Sequence, residues 1–357
     1  MNERQWLDSF NTFYYQKKIK LMRSIYPIYV GFKITENCNQ KCIHCWAGKN
    51  ITSDYPLKKI ISALEKIAEL SPYHVTITGG EPLLHKSWRE IVHYANELFP
   101  VIELFTNGVL FSERDISCLS SIFKDSNFIQ ISLDGLRESY KKQRGEDNFE
   151  VVIRNIKLLI DSNINVRLNM TVTPFNIDDV YEIYLLAKKL KVKTFSISPV
   201  YPLRKGKKLV PLVDYDQYQE IGEKIEKNHN IYKEKMNLMI IYPIEVSSRK
   251  AKYTPNIMEL KKFNTDILHW VIDGEGNIFH FMDQSEVKKL KVGNIYEDDI
   301  EVLVENDFKI QKMILFYDVK NLKCRKCDMV NVCSGGTYVN SFPSIAYDYE
   351  RCIMNEE

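Results

Sequence analysis

Between Tyr26 and Val200 short strand-like segments recur, each followed by a helical stretch, and that repetition constrains the fold more than any other feature. The strand candidates are Ile28–Thr35, Tyr73–Thr78, Val101–Thr106, Phe128–Leu133, Val166–Val172 and Thr194–Ser198. The clearest helix runs from Phe149 to Ile160, where Phe149, Val152, Ile153, Ile156 and Ile160 share one face. Asn107-Gly108 and Asp134-Gly135 punctuate the units as turns. Repeated strand–helix units build a parallel sheet with right-handed crossovers. Six units are too few for a closed eight-stranded barrel. The expected architecture is α/β, a partial and open (β/α)6 barrel, and a chain of 357 residues has room for a smaller second domain.

The strands carry a polar face. Ile129, Ile131 and Leu133 oppose Gln130, Ser132 and Asp134; Leu168, Met170 and Val172 oppose Arg167, Asn169 and Thr171; Phe195 and Ile197 oppose Thr194, Ser196 and Ser198; Val75 and Ile77 oppose His74, Thr76 and Thr78. The third strand alternates less cleanly. A parallel strand covered on both faces is apolar throughout, so a polar face implies a lumen that holds a polar ligand. An antiparallel sheet with one wet face is the plainer alternative, and the intervening helices argue against it.

Charges nearly cancel at +2, which excludes bulk nucleic-acid binding and a membrane surface as partners. No apolar run approaches the roughly 20 residues that span a bilayer, and the N-terminal segment has no secretory apolar core. The chain reads as soluble and cytoplasmic. Its eight cysteines then read as metal ligands rather than disulfides. Cys38, Cys42 and Cys45 form C-x-x-x-C-x-x-C directly after the first strand, and Cys324, Cys327, Cys333 and Cys352 form a late group. Cys118 stands alone on the third helix and reads as a small buried hydrophobe. A zinc site wants four ligands. Three thiolates on one loop suit a [4Fe–4S] cluster with one open iron, whereas half a zinc site would need His44 or a distant Cys as the fourth ligand.

Further motifs accompany the loop in order: Gly79-Gly80-Glu81-Pro82 after the second strand, Thr106-Asn107-Gly108 after the third, and Ser132-Leu133-Asp134-Gly135 with Arg144-Gly145 and Phe149 downstream. Together they resemble the radical S-adenosylmethionine (SAM) superfamily over roughly residues 28–200. The resemblance implies a [4Fe–4S] cluster on Cys38, Cys42 and Cys45 with SAM on its open iron. It also implies that Gly79, Gly80, Glu81 and Pro82 receive the SAM amino group, and that Ser132 lies near the ribose and Arg144 near the carboxylate. Asn169 and Thr171 would make ribose contacts. His44 would stand where relatives have an aromatic residue near adenine, although packing alone also explains it. Reductive cleavage of SAM would yield methionine and a 5′-deoxyadenosyl radical.

The late run C-x-x-C-x-x-x-x-x-C…C resembles the SPASM domain of the same superfamily, which carries auxiliary iron–sulfur clusters; spacing alone also allows a structural zinc ribbon. The chain departs from two-cluster relatives. Phe281 and its neighbours, the surroundings of Gly293-Asn294-Ile295, and Thr337 all lack the extra cysteines. Cys324, Cys327, Cys333 and Cys352 therefore suffice for one auxiliary [4Fe–4S] cluster with no open iron, suited to electron relay or support.

The expected organisation is an N-terminal extension over 1–27, the barrel over 28–200, a bridge over 201–265 and a SPASM/twitch-like domain over 266–357. Tyr215–Lys227 reads as a helix in the bridge, and Trp270–Asp273 with Asn277–Phe281 as a β-hairpin. Arg204, Lys205, Lys207 and Lys208 form a basic loop, either a solvated turn or a guide for an acidic peptide or carboxylate. The resemblance implies an enzyme that abstracts hydrogen from a peptide or protein substrate, cross-linking, thioether-bonding or epimerising a ribosomal peptide, with a flavodoxin or ferredoxin as electron donor. A small-molecule substrate such as a tetrapyrrole side chain, or a non-catalytic zinc- and SAM-binding module, are the alternatives. Asp134, Gln130 and Arg167 face the lumen without an assigned role.

Overall fold

The protein is described here by a computed structural model, covering residues 27–45, 54–200, 204–209, 212–232, 235–241, 269–280 and 290–315. The late cysteines and residues 242–265 of the expected bridge lie outside the described residues. Strands β1 (Tyr29–Lys33), β2 (His74–Thr78), β3 (Val101–Thr106), β4 (Phe128–Ser132), β5 (Val166–Val172) and β6 (Thr194–Pro199) occupy the six expected segments to within two residues at either end. Between them stand α1 (Leu57–Glu69), α2 (Trp88–Leu98), α3 (Glu113–Leu119), α4 (Arg137–Arg144), α5 (Phe149–Asp161) and α6 (Val180–Leu190). The remaining elements are α7 (Tyr215–Tyr232), β7 (Asn237–Ile240), β8 (His269–Ile272), β9 (Asn277–Phe279), β10 (Gly293–Asn294) and α8 (Ile300–Leu315).

The ten strands of the described residues belong to one sheet in the order β10-β9-β8-β1-β2-β3-β4-β5-β6-β7. Eight neighbouring strands, from β8 through β1 to β7, are parallel. Among the described strands, only the β8–β9 and β9–β10 pairs are antiparallel. The parallel part thus has eight strands rather than six, and it is open because β7 and β8 end opposite sides of the run. The hairpin β8–β9 extends the barrel sheet directly, with Tyr29 beside His269 and Phe32 beside Ile272.

Periodicity sets which face is covered. On α1, Ile60, Ala63, Leu64 and Ile67 follow an i, i+3, i+4, i+7 stripe and are buried. On α5, Val152, Asn155, Ile156 and Leu159 repeat that spacing and are buried, with Ile153 beside them. Each large side chain so buried contributes about 1.5–3 kcal/mol. The stripes meet the outward row of the strands, where Val75, Ile77, Ile129, Ile131, Leu168 and Met170 have no exposed surface. A capping box starts α3, where the Ser112 side chain accepts from Asp115 N and the Asp115 carboxylate accepts from Ser112 N. Ile116 and Leu119 take the core side of this helix and leave Cys118 exposed. The expected burial of Cys118 is therefore corrected: it lies two residues, about 200°, round the helix from Ile116.

The opposite strand face is concave and polar. Arg167 on β5 reaches past β4 to Glu103 on β3 at 3.3 Å, and the His74 and Phe128 rings, on β2 and β4, lie 6.3 Å apart. Contacts between non-adjacent strands require a curved sheet with these residues inside. At the strand beginnings they form a floor. His74 Nε2 lies 3.1 Å from Glu103 Oε2, Thr76 donates to Glu103 at 2.7 Å, Tyr29 joins Thr76 at 2.6 Å, and the Arg167 guanidinium stacks 3.7 Å from the Phe128 ring centre. Above the floor Gln130, Ser132, Asn169 and Thr171 remain partly accessible.

Candidate active site

The cysteine loop leaves the end of β1 and is fastened by backbone on two sides. On the first, Ile34 N donates to Thr78 O (2.9 Å), Gly80 N to Thr35 O (2.8 Å) and Glu81 N to Asn37 O (2.7 Å). A Cβ on Gly80 would stand 2.4 Å from Asn37 O and 2.6 Å from Glu36 O, so only glycine allows this approach. On the second side Lys41 N donates to Arg144 O (3.2 Å) and Ile43 N to Gln143 O (2.9 Å). These carbonyls end α4, which stops at Gly145 in the left-handed region. Side chains add Asn107 Nδ2 to Asn39 (2.7 Å), Gln40 Nε2 to Tyr140 (3.0 Å), Asn37 Nδ2 to Asp54 (3.1 Å) and Lys205 Nζ to Cys42 O (3.3 Å).

Glu81 is buried, and its carboxylate accepts from Thr106 Oγ1 (2.7 Å), Leu83 N (3.2 Å) and Asn107 N (2.7 Å). It thereby ties the Gly79–Pro82 turn to the Thr106–Gly108 turn. Burial outweighs these bonds and pushes the carboxyl up to about 7. Pro82 begins a short 3-10 turn, Pro82–Leu84. Ser132, the last residue of β4, stands in register beside Asn169 in the middle of β5, with Thr171 two residues on toward the end of that strand.

Arg144 and Asp134 are both buried and face each other, Nη2 to Oδ2, at 2.5 Å. The other Arg144 terminal nitrogen, Nη1, donates to Cys42 Sγ at 3.6 Å. Asp134 Oδ1 accepts from Thr171 N at 2.8 Å. His44 Nε2 approaches Asp134 at 3.3 Å and its Nδ1 meets Gln143 at 3.3 Å, while Gln143 Nε2 donates to Thr173. Burial depresses the His44 pKa, opposed by Asp134. His44 is thus fixed in a polar network, which packing alone does not describe. Sequence reasoning left Asp134 without a role, missed Gln143, Tyr140 and Asn39, and read Lys205 as part of a basic loop without its tie to Cys42 O. Contacts spanning about a hundred residues leave no spacing signal.

Cys38, Cys42 and Cys45 are unbridged. Burial lifts the Cys38 thiol to about 11 and raises Cys42 as well, where Arg144 opposes the rise; each also feels the neighbouring sulfurs. Sulfurs on one zinc ion stand about 3.8 Å apart, from a bond of about 2.3 Å in a tetrahedron. No group of three or more His, Cys, Asp or Glu among the described residues is arranged for a single ion. Three soft donors on one loop, mutually within electrostatic reach and backed by a buried cation, fit a thiolate-held iron–sulfur cluster. The late cysteines lie outside the described residues, so this geometry does not bear on them. No described helix is long and apolar enough to cross a membrane.

Residues 32–187 match the model of the radical SAM superfamily. The sporulation killing factor maturation protein SkfB of Bacillus subtilis is 24% identical over 304 residues, 84% of this chain and 70% of SkfB. The antilisterial bacteriocin subtilosin biosynthesis protein AlbA of the same species is 26% identical over 226 residues, 61% of this chain; the match spans only 49% of AlbA. The fold is shared with Streptococcus suis SuiB bound to its precursor peptide SuiA, with a TM-score of 0.75, 19% identity, and coverage of 93% of this chain and 77% of SuiB.

Proposed function

We propose that this enzyme, whose residues 32–187 form a radical SAM domain, modifies a peptide by abstracting hydrogen from an unactivated carbon. The superfamily uses a [4Fe–4S] cluster and SAM, and when bound these supply one-electron cleavage of SAM and the abstracting 5′-deoxyadenosyl radical. The single observation that carries the reading is the three-cysteine loop, clamped between the Gly79–Pro82 turn and the end of α4 at the mouth of a polar lumen. Cys38, Cys42 and Cys45 would hold the cluster. Glu81, buried with its carboxyl near 7, is a site that an arriving ammonium would stabilise as carboxylate. Ser132, Asn169 and Thr171 offer hydroxyl and amide groups to a ribose from the rim of β4 and β5. His44, with Gln143 and Asp134, would border the adenine.

The curved sheet and its floor would close the lumen beneath the site, and limited water there would protect a radical from quenching. SkfB is named for maturation of the sporulation killing factor and AlbA for bacteriocin biosynthesis, and SuiB binds a precursor peptide; these names support a ribosomal precursor peptide as substrate. The basic turn Arg204–Lys208, tied to the cysteine loop through Lys205, suits an acidic segment of such a peptide. A flavodoxin or ferredoxin would deliver the electron. Cys324, Cys327, Cys333 and Cys352 would hold one auxiliary [4Fe–4S] cluster in a domain over 266–357, beyond a bridge over 201–265.

Anaerobic reconstitution should load about eight irons per chain if both sites fill. Reduced protein with SAM should then release 5′-deoxyadenosine, and Cys42→Ala should abolish release. Mass spectrometry of short peptides co-expressed with the enzyme identifies the product. Iron loading without any 5′-deoxyadenosine would refute the radical reading.

A further inference from the structure

We propose that Asp134 is a positioning residue that holds Arg144 as a charged hydrogen-bond donor to Cys42 Sγ, and that this pair sets the reduction potential of the loop's cluster. The inference rests on the reading that Cys38, Cys42 and Cys45 hold an iron–sulfur cluster. Three observations carry it. One guanidinium spans the two partners, with Nη2 2.5 Å from Asp134 Oδ2 and Nη1 3.6 Å from Cys42 Sγ. Asp134 cannot swing, because it has no exposed surface and its other oxygen accepts from Thr171 N at 2.8 Å. The Arg144 carbonyl also accepts from Lys41 N, next to Cys42, so backbone and side chain of one residue grip the same ligand segment.

The chemistry follows from charge. Reduction adds a negative charge to the cluster. A buried cation that donates to a ligand sulfur stabilises that charge, and hydrogen bonds to sulfur are among the determinants of cluster potential. The effect is large where water is excluded. Cys38 Sγ, by contrast, accepts from a neutral backbone N–H, that of Gln40 at 3.4 Å. The middle ligand is therefore singled out.

The resemblance assigned Arg144 to the SAM carboxylate. Its Nε is buried and has no hydrogen-bond partner, so the guanidinium retains a donor for that purpose too. The two roles separate experimentally, because only the proposed one acts without SAM.

The test is a potentiometric titration of the anaerobically reconstituted full chain without SAM, followed by electron paramagnetic resonance. Subtracting the spectrum of a Cys38→Ala/Cys42→Ala/Cys45→Ala variant isolates the loop signal. Arg144→Gln should shift the potential negative, by a tenfold or greater change in the oxidised-to-reduced ratio at fixed potential, 59 mV for one electron. Asp134→Asn should shift it in the same direction, although removing a negative charge alone would shift it positive. If Arg144→Gln fails to hold iron, Arg144→Lys keeps the charge but loses the fork and should move the potential negative by less. Unchanged potentials with weakened SAM binding would overturn the proposal and leave Arg144 a SAM ligand. A positive shift in Asp134→Asn would overturn the positioning role. If the triple-cysteine variant holds as much iron as the parent chain, it is the underlying cluster reading that fails.

Discussion

Gly80→Ala isolates the close approach that fixes the cysteine loop. The added Cβ would stand 2.4 Å from Asn37 O, 2.6 Å from Glu36 O and 2.8 Å from Asn37 C. All three are backbone atoms, so no side chain can rotate away. A tolerable contact of about 3.2 Å requires the loop to retreat by roughly 0.6–0.8 Å. That retreat strains Gly80 N→Thr35 O (2.8 Å) and Glu81 N→Asn37 O (2.7 Å). Overpacking costs about 1–3 kcal/mol, and two weakened backbone bonds add about 1 kcal/mol each. Alanine recovers about 0.4–1 kcal/mol by restricting the unfolded chain. The expected loss is about 2–5 kcal/mol, read as a lower urea midpoint at constant m value, with iron uptake by the loop reduced in parallel. Gly31→Ala is the control, because its Cβ meets nothing nearer than 3.9 Å and should leave both readouts within about 1 kcal/mol of the parent. If Gly80→Ala matches Gly31→Ala in midpoint and iron content, the clamp is not what shapes the loop.

Glu81 carries a pH signature in the protein free of cluster and SAM. Its folded pKa, about 7, lies above the ordinary 4.5, so its contribution is fully present below 4.5 and lost as pH rises through 7. The stability difference between parent and Glu81→Gln should therefore fall by up to about 3 kcal/mol between pH 4.5 and 7, and a flat difference refutes the burial argument. Asp307→Ala strands His280, which lies 2.8 Å away with both side chains fully buried, and also removes the acceptor of Trp270 Nε1; chemical denaturation should show a loss of about 3–5 kcal/mol, and a loss below about 1 kcal/mol would sink the idea. Iodoacetamide footprinting of the metal-free protein by mass spectrometry should modify exposed Cys118 before buried Cys42; the reverse order would contradict the placement of α3.

The six strands were readable because their alternation is local: Ile129, Ile131 and Leu133 face helices whatever the rest of the chain does. The pairing of β8 with β1 was not readable, because it joins Tyr29 to His269 across 240 residues and pairing partners at that separation leave no periodicity. The motifs after β1, β2, β3 and β4 told which residues would meet at the strand ends but not what each would touch. Glu81 is the clearest case, since its carboxylate is already engaged by Thr106, Leu83 and Asn107. Cys118 was misjudged for the opposite reason. Composition favours a buried cysteine, whereas the phase of Ile116 and Leu119 on α3 decides the matter.

Two opposing demands meet at the loop. The clamp from Gly80, Glu81, Gln143 and Arg144 shapes it with little left to order on binding a cluster, and this preorganisation favours loading. The same burial holds the Cys38 thiol at about 11 and raises Cys42, so both are protonated near neutrality, and ligation must expel those protons. Arg144 is the counterweight. It lowers the cost of a thiolate at Cys42, yet its own charge is balanced by Asp134 while no cluster is bound. An arginine without the aspartate would leave an uncompensated buried cation in the empty loop, and an aspartate without the arginine would leave a buried carboxylate facing sulfur. The pair therefore lets the Cys42 position tolerate a neutral thiol before loading and a thiolate after it, which explains why an ion pair stands beside a ligand that burial keeps protonated in the free protein.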